Sequence, residues 1–342
     1  MAKIEWVKVE DSEGLILAHD LTGIVPFKSK GAILRKGHRI KKEDIPLLLK
    51  IGKEKVMILS LDEDETHEDD AASFIAERST GENIELKKPG EAWIEGYSKI
   101  DGLFKVKVKL LKQGLTIEEI VIATIPSNTP VKKGMRLTKI KIAPLFIKEE
   151  KLKRFEDLIL GGPIMDIIPY KIKTAGVVTV GNEIVSGRVK DAFGPLIREK
   201  LENYGVCMCE QLIVKDEVGE IEDAILEEIS LGRELIIVTG GMSPDDFTVR
   251  AISDVGKIAV RGVPMSPAAM LTIAYRNDVP IIGIPGGALT NRITSFDVFL
   301  PRILTGERIT REKVIELANG GLCMNCENCD FPFCSFGKGG EL

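Results

Sequence analysis

Four thiols crowd into one short stretch, Cys323, Cys326, Cys329 and Cys334, with two, two and four residues between them. That spacing makes a ligand set, because four thiolates either build a tetrahedral zinc site or hold an iron–sulfur cluster. Separated Cys-x2-Cys pairs would point to zinc, whereas a consecutive Cys-x2-Cys-x2-Cys wrap is a cluster-binding style. The wider last gap leaves both metals open. Phe331, Phe333 and Phe336 are expected to give this small module its only core, and without metal the module is expected to be disordered. Two other thiols, Cys207 and Cys209, share one face of an expected strand and read as small buried side chains. His19, His38 and His67 show no ligand spacing.

A second chemistry resides in three glycine turns: Val180-Gly-Asn-Glu-Ile-Val-Ser-Gly187, Thr239-Gly-Gly-Met-Ser-Pro-Asp-Asp246 and Ile284-Pro-Gly-Gly-Ala-Leu-Thr290. Glycine lets the backbone come close to an anion, and a helix that follows offers unpaired N–H groups and the positive end of its dipole. Gly181, Gly240, Gly241, Gly286 and Gly287 therefore read as phosphate contacts. None of the turns has the Gly-x-Gly-x-x-Gly or Gly-x4-Gly-Lys-Ser/Thr pattern, which argues against a nicotinamide dinucleotide or a standard nucleoside triphosphate site. Asp245 and Asp246 open the next helix, where they serve either as N-cap residues or as holders of Mg2+ against a phosphate. Asp216 reads equally as a solvated loop residue.

These groups need a scaffold. After Ile172, apolar runs such as Ala175–Val180, Leu235–Thr239 and Pro280–Ile284 alternate with amphipathic helices. Strand, turn and helix in alternation imply an α/β fold with a doubly wound, mostly parallel sheet and ligand sites at the carboxyl ends of its strands. Residues 1–62 read as a small α+β module, with a helix from Lys42 to Ile51 closed by Gly52. Residues 63–163 read as β-rich, with a strand over Leu103–Leu110 from its alternating lysines and a connector helix from Lys148 to Leu160. The expected domains are then 1–62, 63–163, 171–306 and a cysteine-rich tail over 307–342. Asp62 to Asp70 holds seven carboxylates in nine residues, the mark of a solvated loop or the start of an exposed helix.

A net charge of −5 argues against a dedicated nucleic-acid binder. The first ten residues lack the apolar core of a secretory signal and no stretch is apolar enough to cross a bilayer, so a cytoplasmic location and no membrane partner are expected.

Taken in order, Thr-Val-Gly-Asn-Glu-Ile up to Gly187, Val-Lys-Asp216, Thr-Gly-Gly-Met-Ser-Pro-Asp-Asp246 and Ile-Pro-Gly-Gly resemble the motifs of molybdopterin-binding domains. Such domains occur in molybdopterin adenylyltransferases and molybdenum insertases. The match covers about 130 residues, and the layout is most similar to stand-alone molybdopterin-binding proteins with a cysteine-rich tail. The resemblance implies that Gly181, Glu183, Gly240, Gly241, Ser243, Asp245, Pro285, Gly286 and Gly287 bind the phosphate end of molybdopterin or the molybdenum cofactor. It implies Asp216 and Asp246 as catalytic residues acting with Mg2+, in adenylyl transfer or metal insertion. Pro285-Gly-Gly stands where the family usually has Pro-Gly-x-Pro, and the N-terminal half lacks the insertases' Asp-Gly-Tyr-Ala stretch. The alternatives are a non-catalytic carrier or sensor that hands cofactor to a molybdoenzyme, and a hydrolase of pyrophosphate-linked nucleotides. Related domains often assemble as homo-oligomers.

Overall fold

The structure, a computed structural model, describes residues 3–25, 29–90 and 92–339. The first two residues of the stretch read for a signal and the last three of the tail lie outside these. The backbone groups into two compact units. One runs to Lys99 and takes in Val106–Ile125 and Gly134–Asp166; the other takes in Ile100–Lys105, Pro126–Lys133 and the chain from Ile167. Segments 1–62 and 63–163 thus fall together, apart from 100–105 and 126–133, while the tail groups with 171–306.

In the first unit, strand Lys55–Ser60 lies between Lys3–Lys8 and Ile16–Leu17, antiparallel to both. Helix Asp44–Lys50 buries Leu48 with Leu17, Val56 and Ile58 and ends at Gly52, whose φ of 80° suits glycine. A four-stranded antiparallel sheet runs in the order Ile120–Thr124, Arg136–Ile142, Ile94–Ser98, Ile84–Lys87. The acidic run ends by starting the helix Glu68–Ser79, with Glu68, Asp69 and Asp70 in the first turn, where the helix dipole favours negative charge. Its Asp62, Asp64 and Glu65 oxygens lie within 4.8 Å of one another. Lys148 pairs with two of them, at 2.9 Å from Asp64 and 3.0 Å from Glu65.

The strand expected over Leu103–Leu110 is corrected. Pairing stops with strand Gly102–Val106, and helix Val108–Gly114 follows. Leu103 and Phe104 are both fully buried, so the stretch is not the half-exposed strand that alternation suggested. Gly114 then lets the helix close on Phe155: a Cβ there would lie 2.7 Å from the ring.

The second unit holds a six-stranded sheet. Its strands are β1 (Thr174–Val180), β2 (Cys207–Val214), β3 (Leu235–Gly240), β4 (Lys257–Arg261), β5 (Thr272–Arg276) and β6 (Val279–Pro285), in the order β2-β1-β3-β6-β5-β4. The first four in that order are parallel, as expected for an α/β sheet; β5 and β4 add an antiparallel edge that the sequence pattern did not reveal. Alternation along each strand sends side chains to two separate cores. Val177, Ile237 and Ile282 face one side, packed with helices α2 (Phe193–Glu202) and α5 (Ser295–Leu304). Val178, Ile236 and Ile281 face the other, packed with α3 (Val218–Ser230) and α4 (Phe247–Val255). Burial on both faces is why these strands read as unbroken apolar runs. A single turn, α1 (Asn182–Val185), and a short helix, α6 (Arg311–Ile315), also belong to the unit.

Two expectations about cysteine surroundings are overturned. Cys207 and Cys209 are exposed, because β2 is an edge strand and only the Met208 side of its first residues is covered. Of the three tail phenylalanines only Phe336 is buried, while Phe333 is 50% exposed. Phe336 belongs to the core shared with α5, so the tail has no core of its own. No helix among the described residues is long and apolar enough to cross a membrane.

Candidate functional site

Because β1, β3 and β6 are parallel neighbours, their carboxyl ends share one edge, with Gly240 opposite Pro285 in the register. The chain leaves each end through one of the three glycine turns. Between them lies a cavity of about 480 Å³ lined by Gly181, Glu183, Asp216, Gly240, Gly241 and Ser243. Asp246, Pro285 and Gly286 also line it. Asp245 and Gly287, expected with this group, do not; both are exposed nearby.

Local hydrogen bonds hold the turns. The Gly181 N–H donates to the Val214 carbonyl at 3.1 Å, tying the end of β1 to that of β2. The Asp216 N–H donates to Asn182 Oδ1 at 3.2 Å, which sets the loop after β2 against α1. Asp246 is the N-cap residue of α4, yet its carboxylate makes no cap bond within the helix. It turns back and accepts the Ser243 N–H at 2.6 Å, closing the Gly-Gly loop on itself.

The glycines differ in what they make room for. A Cβ on Gly240 would lie 2.9 Å from Thr248 Oγ1 and 3.0 Å from Val180 Cβ, and one on Gly241 would lie 2.6 Å from the Asp246 carboxyl carbon. Around Gly286 and Gly287 there is open space within 4 Å.

Electrostatically the cavity is acidic. Glu183, Asp216 and Asp246 line it and, among the described residues, no lysine or arginine does. The Asp216 carboxyl is pushed above the usual carboxylate range, first by desolvation and then by the negative charges of Asp246 and Glu183. Oxygen ligands of this kind suit a hard divalent cation such as Mg2+. The chemistry available is cation-assisted handling of a phosphate whose remaining oxygens meet backbone N–H groups.

Sequence reasoning missed the apolar wall: Ile184, Phe193, Met242 and Met270. Phe193 was visible only as a helix-core residue, and Met270 lies in the loop between β4 and β5, where no motif marks it. In the tail, Cys323 and Cys334 pack against the α5 core, Cys329 is half-buried and Cys326 is exposed.

Residues 176–305 match the family described as a probable molybdopterin binding domain, and residues 6–60 match a domain of unknown function. The molybdenum cofactor biosynthesis bifunctional protein of Synechococcus elongatus is 36% identical over 91 residues, 26% of this chain and 28% of that protein. A CinA-like protein of Geobacter metallireducens is 39% identical over 82 residues, 23% of this chain and 19% of that protein. The chain thus spans less than a third of the length of either relative. The crystal structure of the molybdopterin biosynthesis enzyme MoaB from Thermus thermophilus aligns at 24% identity and a TM-score of 0.34, covering 40% of this chain and 98% of that one.

Proposed function

We propose, from the premise that residues 176–305 belong to the molybdopterin-binding domain family, that this chain binds the phosphate end of molybdopterin or molybdenum cofactor at the β1, β3 and β6 edge. Its role is in biosynthesis of that cofactor, by adenylyl transfer or metal insertion. The observation that carries the reading is the acidic cavity itself, three carboxylates beside glycine turns with no basic side chain among the lining residues. A dianionic phosphate enters such a cavity only with a cation. Asp216 and Asp246 would hold Mg2+, which when bound neutralises phosphate charge and polarises a phosphorus centre toward attack.

The chain's own residues then divide the work. N–H groups of the Gly181, Gly240-Gly241 and Gly286-Gly287 turns take phosphate oxygens, with the Ser243 hydroxyl beside them. Glu183 adds negative charge for the cation, with Asp245 exposed outside the lining, and Pro285 sets the approach of its turn. Ile184, Phe193 and Met270 offer the flat pterin an apolar surface and exclude water. The tail thiols Cys323, Cys326, Cys329 and Cys334 hold zinc or an iron–sulfur cluster, as a docking or redox element toward a molybdoenzyme partner. A homo-oligomer in the cytoplasm is part of the same reading.

The test is incubation with molybdopterin, ATP and Mg2+, followed by mass spectrometry of the pterin. An adenylylated product that disappears in Asp246→Ala supports transfer. Tight Mg2+-dependent binding without product leaves insertion or a carrier. AMP release from a pyrophosphate-linked nucleotide without any pterin binding would overturn the reading in favour of a hydrolase.

A further inference from the structure

The first unit carries a cavity of its own, about 1060 Å³ in volume against about 480 Å³ for the glycine-turn cavity. Apolar side chains line it, among them Leu59, Leu145 and Phe146, together with the indole of Trp93 and the cations Arg35, Lys36 and Lys141. Glu68 is the one carboxylate among its described lining residues.

The groups that could meet a ligand are held by bonds within the unit. Arg35 and Lys36 lie in the turn after strand Ser29–Leu34, where the Lys36 N–H donates to Asp20 Oδ1 at 2.7 Å and the Gly37 N–H to the Leu17 carbonyl at 2.8 Å. His67, 1% exposed, fixes the same turn. Its Nδ1 accepts the Asp69 N–H at 3.3 Å, which leaves Nε2 to carry the proton and donate to the Gly37 carbonyl at 2.9 Å. Trp93 follows Ala92, whose φ of 64° is a left-handed conformation that disfavours any residue with a side chain. The Ala92 N–H donates to Asp69 Oδ1 at 2.8 Å, and Lys88 lies 2.8 Å from the same carboxylate. Strain retained and braced in this way at a cavity wall is a mark of a ligand site.

Charge and shape then select the ligand. Lys139 Nζ stands 4.4 Å and Lys141 Nζ 4.9 Å from the Trp93 ring centroid, the two lysines sharing one face of strand Arg136–Ile142. Lys139 also pairs with Glu95 at 3.4 Å, whereas Lys141 lines the cavity. Glu68 is only 6% exposed and lies against Gly37, where a Cβ would collide with its Oε1. The lining therefore carries three cations against one buried carboxylate, beside an aromatic face and aliphatic side chains. The complement of such a surface is a flat ring to stack and an anionic group for the guanidinium and ammonium donors.

We propose that this cavity is a second ligand site, for a small planar heterocycle bearing a phosphate or carboxylate, with the ring on Trp93 and the anion among Arg35, Lys36 and Lys141. The inference is independent of the reading of the glycine-turn cavity, whose acidic lining admits an anion only together with a cation.

The test uses the full chain with EDTA present, so that no Mg2+ holds a phosphate at the glycine turns. The chain has two tryptophans, and in Trp6→Phe the fluorescence reports Trp93 alone. AMP is titrated by quenching and pterin-6-carboxylate by equilibrium dialysis, as nucleotide and pterin sources of the same chemistry. Adenosine and inorganic phosphate supply the two halves separately. Saturable binding of AMP or of the pterin carboxylate is expected, tighter than that of either half, and the tighter of the two names the source. Arg35→Gln and Lys141→Gln should each weaken it about tenfold, with Arg35→Lys intermediate and the melting temperature unchanged. No saturable binding of either probe would overturn the proposal. Adenosine binding as well as AMP, or binding unmoved in both glutamine variants, would overturn it too.

Discussion

At the residue scale, the glycines of the three turns are alike in sequence and unlike in space. Gly286 borders the cavity with nothing within 4 Å of where a methyl group would stand, whereas a methyl on Gly241 meets the Asp246 carboxylate at 2.6 Å. Gly286→Ala should therefore leave thermal unfolding unchanged and weaken pterin binding severalfold in a fluorescence titration. Gly241→Ala should lower both, because the loop closed by the Asp246 to Ser243 bond must open. Asp216 gives a pH signature. Its folded-state pKa is raised by desolvation and by Asp246 and Glu183, so the folded form binds the proton more tightly than the unfolded chain. This contribution to stability is present below the ordinary carboxylate value and is lost as pH rises through the raised one. Asp216→Asn should be slightly more stable than the parent at neutral pH, equal to it in acid, and deficient in Mg2+-dependent activity. A melting series across pH reads the first two effects.

At the element scale, the parallel strands and their amphipathic helices were legible because burial on both faces leaves a continuous apolar signature, while amphipathic helices repeat at their own period. The antiparallel edge of β4 and β5 was not, since edge pairing is settled by which strand lies next in the sheet rather than by local pattern. The same reason explains Cys207 and Cys209: a strand's alternation tells which residues share a face, and only the sheet order tells whether that face is covered. The end of α5 shows a network that no motif announced. Glu307 accepts from Arg302 at 2.7 Å and from Lys105 at 2.6 Å, and Lys313 lies 3.1 Å away. Burial works against its charge, but the bonds and charges of Arg302 and Lys105 prevail and hold its carboxyl down at about 2. A depressed carboxylate stabilises the fold above its unfolded value and loses that contribution as pH falls through the folded one. Glu307→Gln should cost on the order of 3 kcal/mol at neutral pH, measured by urea unfolding. The difference from the parent should shrink between pH 4.5 and about 2.

At the scale of the whole molecule, the tail belongs energetically to the α/β unit, since Phe336 fills that unit's core and Phe333 does not. Phe336→Ala should destabilise the unit by about 3–5 kcal/mol, and Phe333→Ala should change urea unfolding little. Equal effects would mean that the tail carries its own core after all. Local pattern alone determined the α/β class, the three glycine turns at strand ends and the crowding of four thiols into one short stretch, because each depends on residues close in the chain. Tertiary structure alone decided that Glu183, Asp216 and Asp246 line one cavity with no lysine or arginine among its described lining residues. It also decided that Met270 helps wall that cavity and that the Lys338 ammonium donates to Thr129 and Asn128, some two hundred residues earlier in the chain. Those facts come from contacts between residues far apart in sequence, fixed by strand order and loop closure rather than by any local period.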